Sequence, residues 1–182
     1  MNDHLIKACD DVLRNIDRTR INIDSYSAAA MNMESALSIE SLNKIQENNK
    51  DVTNARNLKN NDNRISFDFG EPLLGLLELV EMEIGHTPRS SGFFKYPPGG
   101  YCGWHTNSNT KSNRPNRLYF TWAQEDNKSF FRYKDNSTGE IKTNYDTKGW
   151  QMRKFKLSTD EESLYWHCVG SQTNRVSIGF AY

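Results

Sequence analysis

Two of the chain's four histidines, His105 and His167, fall in runs with strand character. His105 stands in Gly103-Trp104-His105-Thr106-Asn107. Residues two apart on a strand point the same way, so His105 and Asn107 are expected on one face. His167 lies far downstream, near the end of another strand-like run, Ser163–Cys168. A His-x-carboxylate pair plus a distant His makes a facial triad, which holds a metal on one side and leaves the other open. Here Asn107 occupies the carboxylate position. Eight positions past His167, from 167 to 175, comes Arg175-Val176-Ser177. Arg175 and Ser177 share a strand face. A guanidinium fork beside a hydroxyl suits the far carboxylate of a dicarboxylic acid, because Arg grips carboxylates bidentately. The set fits a 2-oxo acid that chelates iron at one end and meets Arg175 at the other.

Such a constellation needs a scaffold that makes neighbours of distant strands. From Ser90 onward, short aromatic and β-branched runs alternate with turn residues. The runs are Gly92–Tyr96, Tyr101–Thr106, Arg117–Ala123, Ser129–Tyr133, Glu140–Tyr145, Gln151–Leu157, Ser163–Cys168 and Arg175–Tyr182. Eight strands in about 90 residues predict a barrel or two-sheet jelly roll with a small-ligand site in its mouth.

The first half reads helical. Leu5, Ile6, Cys9, Val12, Leu13 and Ile16 repeat at helix spacing behind a cap at Asn2 or Asp3. A weaker helical pattern covers Met31 to Ile45, and Asn48 to Asn63 reads as a polar loop. A third helix opens at Glu71-Pro72, aligns Leu73, Leu76, Leu77, Val80 and Ile84 on one face, and ends at Gly85 with Pro88. The expected architecture is mainly β: a double-stranded β-helix (jelly-roll, cupin-like) barrel buttressed by about three helices. It is read as a single domain over 1–182, with a helical part at 1–88, a polar loop near 46–64 and an eight-stranded core at 89–182.

Composition narrows the function classes. Lys+Arg and Asp+Glu balance at 23 each over 182 residues, so no basic excess points to nucleic acid or an anionic membrane. Mean hydropathy is −0.82, and no run approaches the roughly 20 apolar residues of a spanning helix. Three scattered cysteines, Cys9, Cys102 and Cys168, make neither a disulfide framework nor a metal knuckle. No signal peptide is read at the N-terminus, and the expected compartment is the cytoplasm.

The stretch Tyr96-Pro97-Pro98-Gly99-Gly100-Tyr101-Cys102-Gly103-Trp104-His105-Thr106-Asn107, followed by Trp166-His167 and Arg175-Val176-Ser177, resembles the prolyl-hydroxylase-like branch of the 2-oxoglutarate/Fe(II) oxygenases. The resemblance spans about Ser90 to Tyr182. It implies that His105 and His167 ligate Fe(II), with Asn107 in the third position. It implies that Arg175, assisted by Ser177, binds the C5 carboxylate of the cosubstrate 2-oxoglutarate. Tyr96 matches the family's tyrosine ahead of the glycine turn. Tyr119 and Thr121 are expected to reach the same pocket, with Phe120 in their place if the register differs by one. O2 would be the second cosubstrate. The implied substrate class is an amino acid or peptide side chain, prolyl included, and the loops Ser108 to Asn116 and Glu125 to Lys128 would select it.

The departure from the family is Asn107, a neutral amide in place of a carboxylate. It allows three outcomes: ligation through the amide oxygen, a water or small anion in that position, or a barrel that keeps acid binding without iron. The competing function is therefore a non-catalytic module that binds 2-oxoglutarate or another small acid. A cupin-type non-redox enzyme ranks lower, because the chain has no His-x-His pair. Trp104 and Trp166 are expected to point away from the metal into the core, Cys102 and Cys168 to serve as small apolar fillers, and His4 and His86 to take no part.

Overall fold

The computed structural model describes residues 1–16, 32–48, 62–70, 73–107, 114–158 and 164–182. Helix α1 (Asp3–Arg14) starts at Asn2, whose side chain accepts the Leu5 N–H at 2.9 Å. The Met31 to Ile45 pattern resolves into two helices, α2 (Met33–Ala36) and α3 (Ile39–Asn48). They divide at Leu37-Ser38, where the Ser38 hydroxyl accepts the Ser41 N–H and opens α3. Among the described residues, four helices therefore stand where about three were expected. Helix α4 (Leu74–Ile84) ends at Gly85, which adopts φ +71° and donates its N–H to Glu81. The predicted start at Glu71-Pro72 lies outside the described residues, as do Met31, most of the polar loop near 46–64 and the Ser108–Asn113 part of the substrate loop.

Two short strands, β1 (Asp62–Asn63) and β2 (Ile65–Ser66), stand at the end of the segment read as a loop. They are too short to show periodicity and form because each pairs with a longer neighbour. The eight core strands are β3 (Arg89–Tyr96), β4 (Gly100–His105), β5 (Asn116–Ala123), β6 (Ser129–Lys134), β7 (Ile141–Tyr145), β8 (Gly149–Lys156), β9 (His167–Ser171) and β10 (Arg175–Ala181). They pair antiparallel in two sheets, ordered β1-β4-β9-β6-β7 and β2-β3-β10-β5-β8. Apart from the β6–β7 hairpin, each core strand is followed by one in the opposite sheet. That alternation is the wrapping of a double-stranded β-helix, and it is the fold of this chain.

Strand alternation then divides the side chains. On β10, Val176, Ile178 and Phe180 join Leu118 and Phe120 of β5 in a buried layer under α1 and α4. Arg175 and Ser177, with Tyr119 and Thr121 of β5, line the space between the sheets. On the other sheet, Tyr101 and Trp104 of β4 and Cys168 of β9, with Trp166 just before β9, pack against Ala36 of α2, Leu42 and Ile45 of α3, and Leu37 between the two helices. The Trp104 indole N–H donates to Ser38 O at 3.0 Å, tying that helix pair to β4.

The seventh core strand differs from its reading. It begins at His167 and runs to Ser171, rather than ending near His167. The run Leu164–Trp166 precedes the strand, with Leu164 and Trp166 in the core against α2 and α3. Gly170 looks like a turn residue in sequence yet lies mid-strand. A Cβ there would meet Phe130 Cζ at 2.6 Å and Leu37 Cδ1 at 2.8 Å, so only glycine allows this close packing.

Candidate functional site

A cavity of about 180 Å³ opens between the two sheets. His105, Asn107, His167, Arg175, Ser177, Tyr96 and Tyr119 all line it, as does Thr121. Phe120 lies on the opposite face of β5, in the layer under α1 and α4.

The histidine end depends on an irregularity. Cys102 pairs with Val169 and His105 with His167, so β4 spends three steps where β9 spends two. Bulges of this kind re-aim a side chain. Strict alternation from Cys102 would send Trp104, not His105, into the cavity; the bulge reverses this and brings the two imidazole centroids to 4.2 Å. Asn107 reaches the site by a route that alternation does not describe. It lies past the end of β4 with φ +46°, a left-handed conformation that Asn tolerates better than most residues. Its amide Nδ2 stands 3.0 Å from His167 Nε2.

Both imidazoles are oriented by backbone carbonyls. His105 Nδ1 lies 2.7 Å from Gly103 O, and His167 Nδ1 lies 2.8 Å from Tyr165 O. A carbonyl oxygen only accepts, so each Nδ1 carries the proton and each Nε2 keeps its lone pair. Burial pushes the His105 pKa down, and it pushes His167 well down, the adjacent His105 ring making a second positive charge there still less favourable. Both rings are therefore neutral near pH 7, the form that ligates metals. Phe131 stacks on His167 at 5.3 Å, and Phe155 lies edge-on at 5.9 Å, so aromatic rings brace the second imidazole.

Among the described residues, no acid joins the two imidazoles. Among the described residues, no group of three or more His, Cys, Asp or Glu side chains gathers in a metal-holding arrangement. Asp62 lines the cavity, but its Oδ2 is taken by Arg64 Nε and Nη2 at 3.1 and 2.8 Å, and its Oδ1 accepts Gly103 N–H at 3.3 Å. The Cys102 thiol touches His105 at 3.5 Å, and burial pushes its pKa well up, so it stays protonated and is a poor ligand. The atoms that could hold a divalent cation are thus the two imidazole Nε2 atoms and the Asn107 amide oxygen, the last only once the amide is turned about its terminal bond from the orientation that puts Nδ2 against His167 Nε2.

The opposite end is cationic. Arg175 is 2% exposed. Its Nε donates to Asp146 Oδ2 at 2.9 Å and its Nη2 to Thr121 Oγ1 at 3.4 Å. Its Nη1 is buried without a hydrogen-bond partner among the described residues. Its guanidinium carbon lies 5.1 Å from the centre of the Tyr96 ring, whose hydroxyl burial pushes up to about 12. Arg153 shares the same carboxylate, with Nη1 2.7 Å from Asp146 Oδ1 in an ion pair not aligned as a hydrogen bond. Burial opposes ionisation of Asp146, but Arg175, Arg153 and the Ser129 hydroxyl outweigh it and hold the carboxyl below its ordinary range. Between these ends, Tyr119 stacks on Phe155 at 5.6 Å and accepts from Ser91 Oγ at 3.4 Å.

The sequence reading missed Asp146, Arg153, Asp62 and Arg64. Arg153 had a signal: Gln151, Arg153 and Phe155 alternate with Trp150 and Met152 on β8, which puts a charge on an inward face. Asp146 follows β7 at the start of a Thr147-Lys148-Gly149 turn, where a buried acid looks like any turn residue.

No protein-family model matches the chain, and no curated protein does. Among solved structures it is similar to an oxidoreductase of the 2OG-Fe(II) oxygenase family from Burkholderia pseudomallei, at 8% identity and TM-score 0.41 over 59% of this chain and 50% of that one. It is also similar to a prolyl-4-hydroxylase from Pseudomonas putida, at 10% identity and TM-score 0.46 over 98% and 85% of the two chains. The cupin domain of Drosophila melanogaster CENP-C is similar at 7% identity and TM-score 0.37 over 67% and 70%. The chain spans half the length of the Burkholderia protein. These likenesses concern the fold, and the strand order independently makes this chain a double-stranded β-helix protein with a cavity of mixed polar and aromatic lining between its sheets.

Proposed function

We propose that this protein is an Fe(II)- and 2-oxoglutarate-dependent oxygenase that hydroxylates an amino acid or peptide side chain. The observation that carries this reading is the pairing of two neutral imidazole Nε2 atoms at one end of the cavity with a buried guanidinium nitrogen at the other that has no hydrogen-bond partner among the described residues. His105, His167 and Asn107 would hold the metal. Arg175, with Ser177 beside it on β10, would hold the distal carboxylate of the cosubstrate, and Tyr96 and Tyr119 would flank its chain. Fe(II) with 2-oxoglutarate supplies O2 activation coupled to decarboxylation, which yields succinate, CO2 and a hydroxylated product. The protein's own residues bind and orient. The Gly103 and Tyr165 carbonyls fix the imidazole tautomers, and the aromatic wall of Phe131 and Phe155 keeps bulk water from His167.

The test is an anaerobic titration of the protein with Fe(II), with and without 2-oxoglutarate, followed by an assay for succinate after O2 is admitted. The expected result is a visible charge-transfer band that disappears in His167→Ala, and succinate formation dependent on both additions. Absence of the band in wild type and in Asn107→Asp would overturn the iron assignment.

A second reading is a non-catalytic module that binds 2-oxoglutarate or another small acid. Asn107 favours it, because loss of one negative charge in a partly desolvated site weakens cation binding. A band in Asn107→Asp but not in wild type would decide for this reading.

A further inference from the structure

We propose that Arg153 is a second anion-binding residue of the cavity, so that the distal carboxylate of a dicarboxylic acid sits against two guanidiniums rather than one and needs no metal to bind. The proposal deepens the acid-binding part of the function above. It concerns a residue outside the His-x-Asn, His and Arg-x-Ser pattern.

Arg153 and Arg175 converge on the single carboxylate of Asp146, which is 0% exposed. Two cations against one anion leave a net positive charge at this end of the cavity. Burial lowers the Arg153 pKa, Asp146 raises it, and the neighbouring Arg175 lowers it again, as expected for two guanidiniums held close together. Their geometry comes from the sheet: Arg153 pairs with Tyr119 on β5, and Tyr119 pairs with Gly179 on β10, the strand that carries Arg175. Both arginines line the cavity.

A purely structural network would satisfy its own donors, because a buried unpaired polar group is costly. This one does not. Arg175 Nη1 and Gln151 Nε2 are buried without partners among the described residues, although Gln151 Oε1 accepts from Arg153 Nη2 at 3.3 Å. Arg153 Nη1 and Asp146 Oδ1 also lack aligned hydrogen bonds, but they face each other as an ion pair at 2.7 Å, so unpaired donors still outnumber unpaired acceptors and the local charge is positive. A carboxylate supplies what is missing: two acceptor oxygens and one negative charge. The histidine end contributes nothing to this balance, so an acid without a 2-oxo group should be recognised as well.

The probe is glutarate, which has two carboxylates and no chelating keto group. Its binding to the full chain is measured calorimetrically in the presence of a chelator, beside its monoamide, glutaramate, in which one carboxylate is neutral. Wild type is expected to bind glutarate and to prefer it over glutaramate by about tenfold or more. Arg153→Gln should lower glutarate affinity about tenfold and bring the preference toward unity, and Arg153→Lys should restore part of both, since it returns the charge without the planar fork. Circular dichroism confirms that each variant is folded, and Arg153→Lys keeps the test decisive if Arg153→Gln does not fold. No glutarate binding in wild type, or an unchanged preference in Arg153→Gln, would overturn the proposal. If iron-dependent succinate formation persists while Arg153→Gln has no effect, the oxygenase reading stands and this inference fails. If glutarate binding depends on Arg153 but no iron band forms, the inference stands and the oxygenase reading fails.

Discussion

At one end of the cavity, Arg175, Arg153 and Asp146 form a charged group whose members are held by one another and by Thr121 and Ser129. At the other end, His105, His167 and Asn107 are all neutral, and their orientation comes from backbone carbonyls and a bulge. The acid end carries its charge before any ligand arrives. The metal end does not, so a cation bound there must draw its compensating charge from elsewhere. A bound 2-oxo acid can provide it through its proximal carboxylate. On the proposed function, this contrast would couple acid and metal binding, with the acid end leading, and such coupling is reciprocal.

The comparison is tested most severely at Asp146. Asp146→Asn leaves the buried guanidinium of Arg175 and the partly buried one of Arg153 against each other with no counter-charge. It should destabilise the fold by about 3–5 kcal/mol, the cost of breaking a buried pair, read as a lower urea midpoint. A loss near zero would mean that the charged group is wetter and looser than its burial indicates.

Arg175→Met separates the two ends. Acid affinity measured by calorimetry should fall by about a hundredfold or more, because the buried fork is lost. Metal affinity without the acid should change little, since Arg175 lies at the far end from the histidines. An equal loss of both would show that the two ends are one unit.

Asn107→Asp sharpens the contrast from the other side. Supplying the missing charge should raise Fe(II) affinity by about tenfold or more in the absence of acid. The additional gain on adding 2-oxoglutarate should shrink, because the site no longer relies on the acid for charge. If that gain is unchanged, charge does not explain the coupling.

The smallest effect is in pH. Burial lowers both histidine pKa values in the folded chain relative to the ordinary 6.5. A base whose folded pKa is depressed binds its proton more readily when unfolded. Full stability is therefore present above about pH 6.5 and is lost as pH falls from there toward the folded values, by at most about 1.4 kcal/mol per pH unit for each proton. His167→Gln should flatten the urea-midpoint profile between pH 6.5 and 5. A profile as steep as wild type would assign the acid sensitivity to other groups.

Much of the scaffold was legible because it follows from periodicity. Val176, Ile178 and Phe180 alternate with Arg175 and Ser177, and that pattern alone puts one set in the core and the other toward a cavity. The division at Leu37-Ser38 and the strands β1 and β2 were not legible. The first is a break inside one apolar pattern, and the others are two-residue pairings that exist only because β4 and β3 offer partners. His105 and Asn107 were expected together through alternation along a single strand. They do meet, but by a bulge before His105 and a left-handed turn at Asn107, neither of which has a signature in Gly103-Trp104-His105-Thr106-Asn107.

By itself, the order of residue types determined that this chain builds a jelly roll and that Arg175 and Ser177 take the face of their strand opposite Val176, Ile178 and Phe180, because strand period and turn chemistry are local properties. Only the tertiary structure decided which charges share the cavity. Asp146 and Arg175 meet through an ion pair spanning 29 positions, and Arg153 joins them across two strand pairings. Whether a buried acid is a counter-ion or a solvated turn residue depends on what folding packs around it, and dielectric and distance are not written in the sequence.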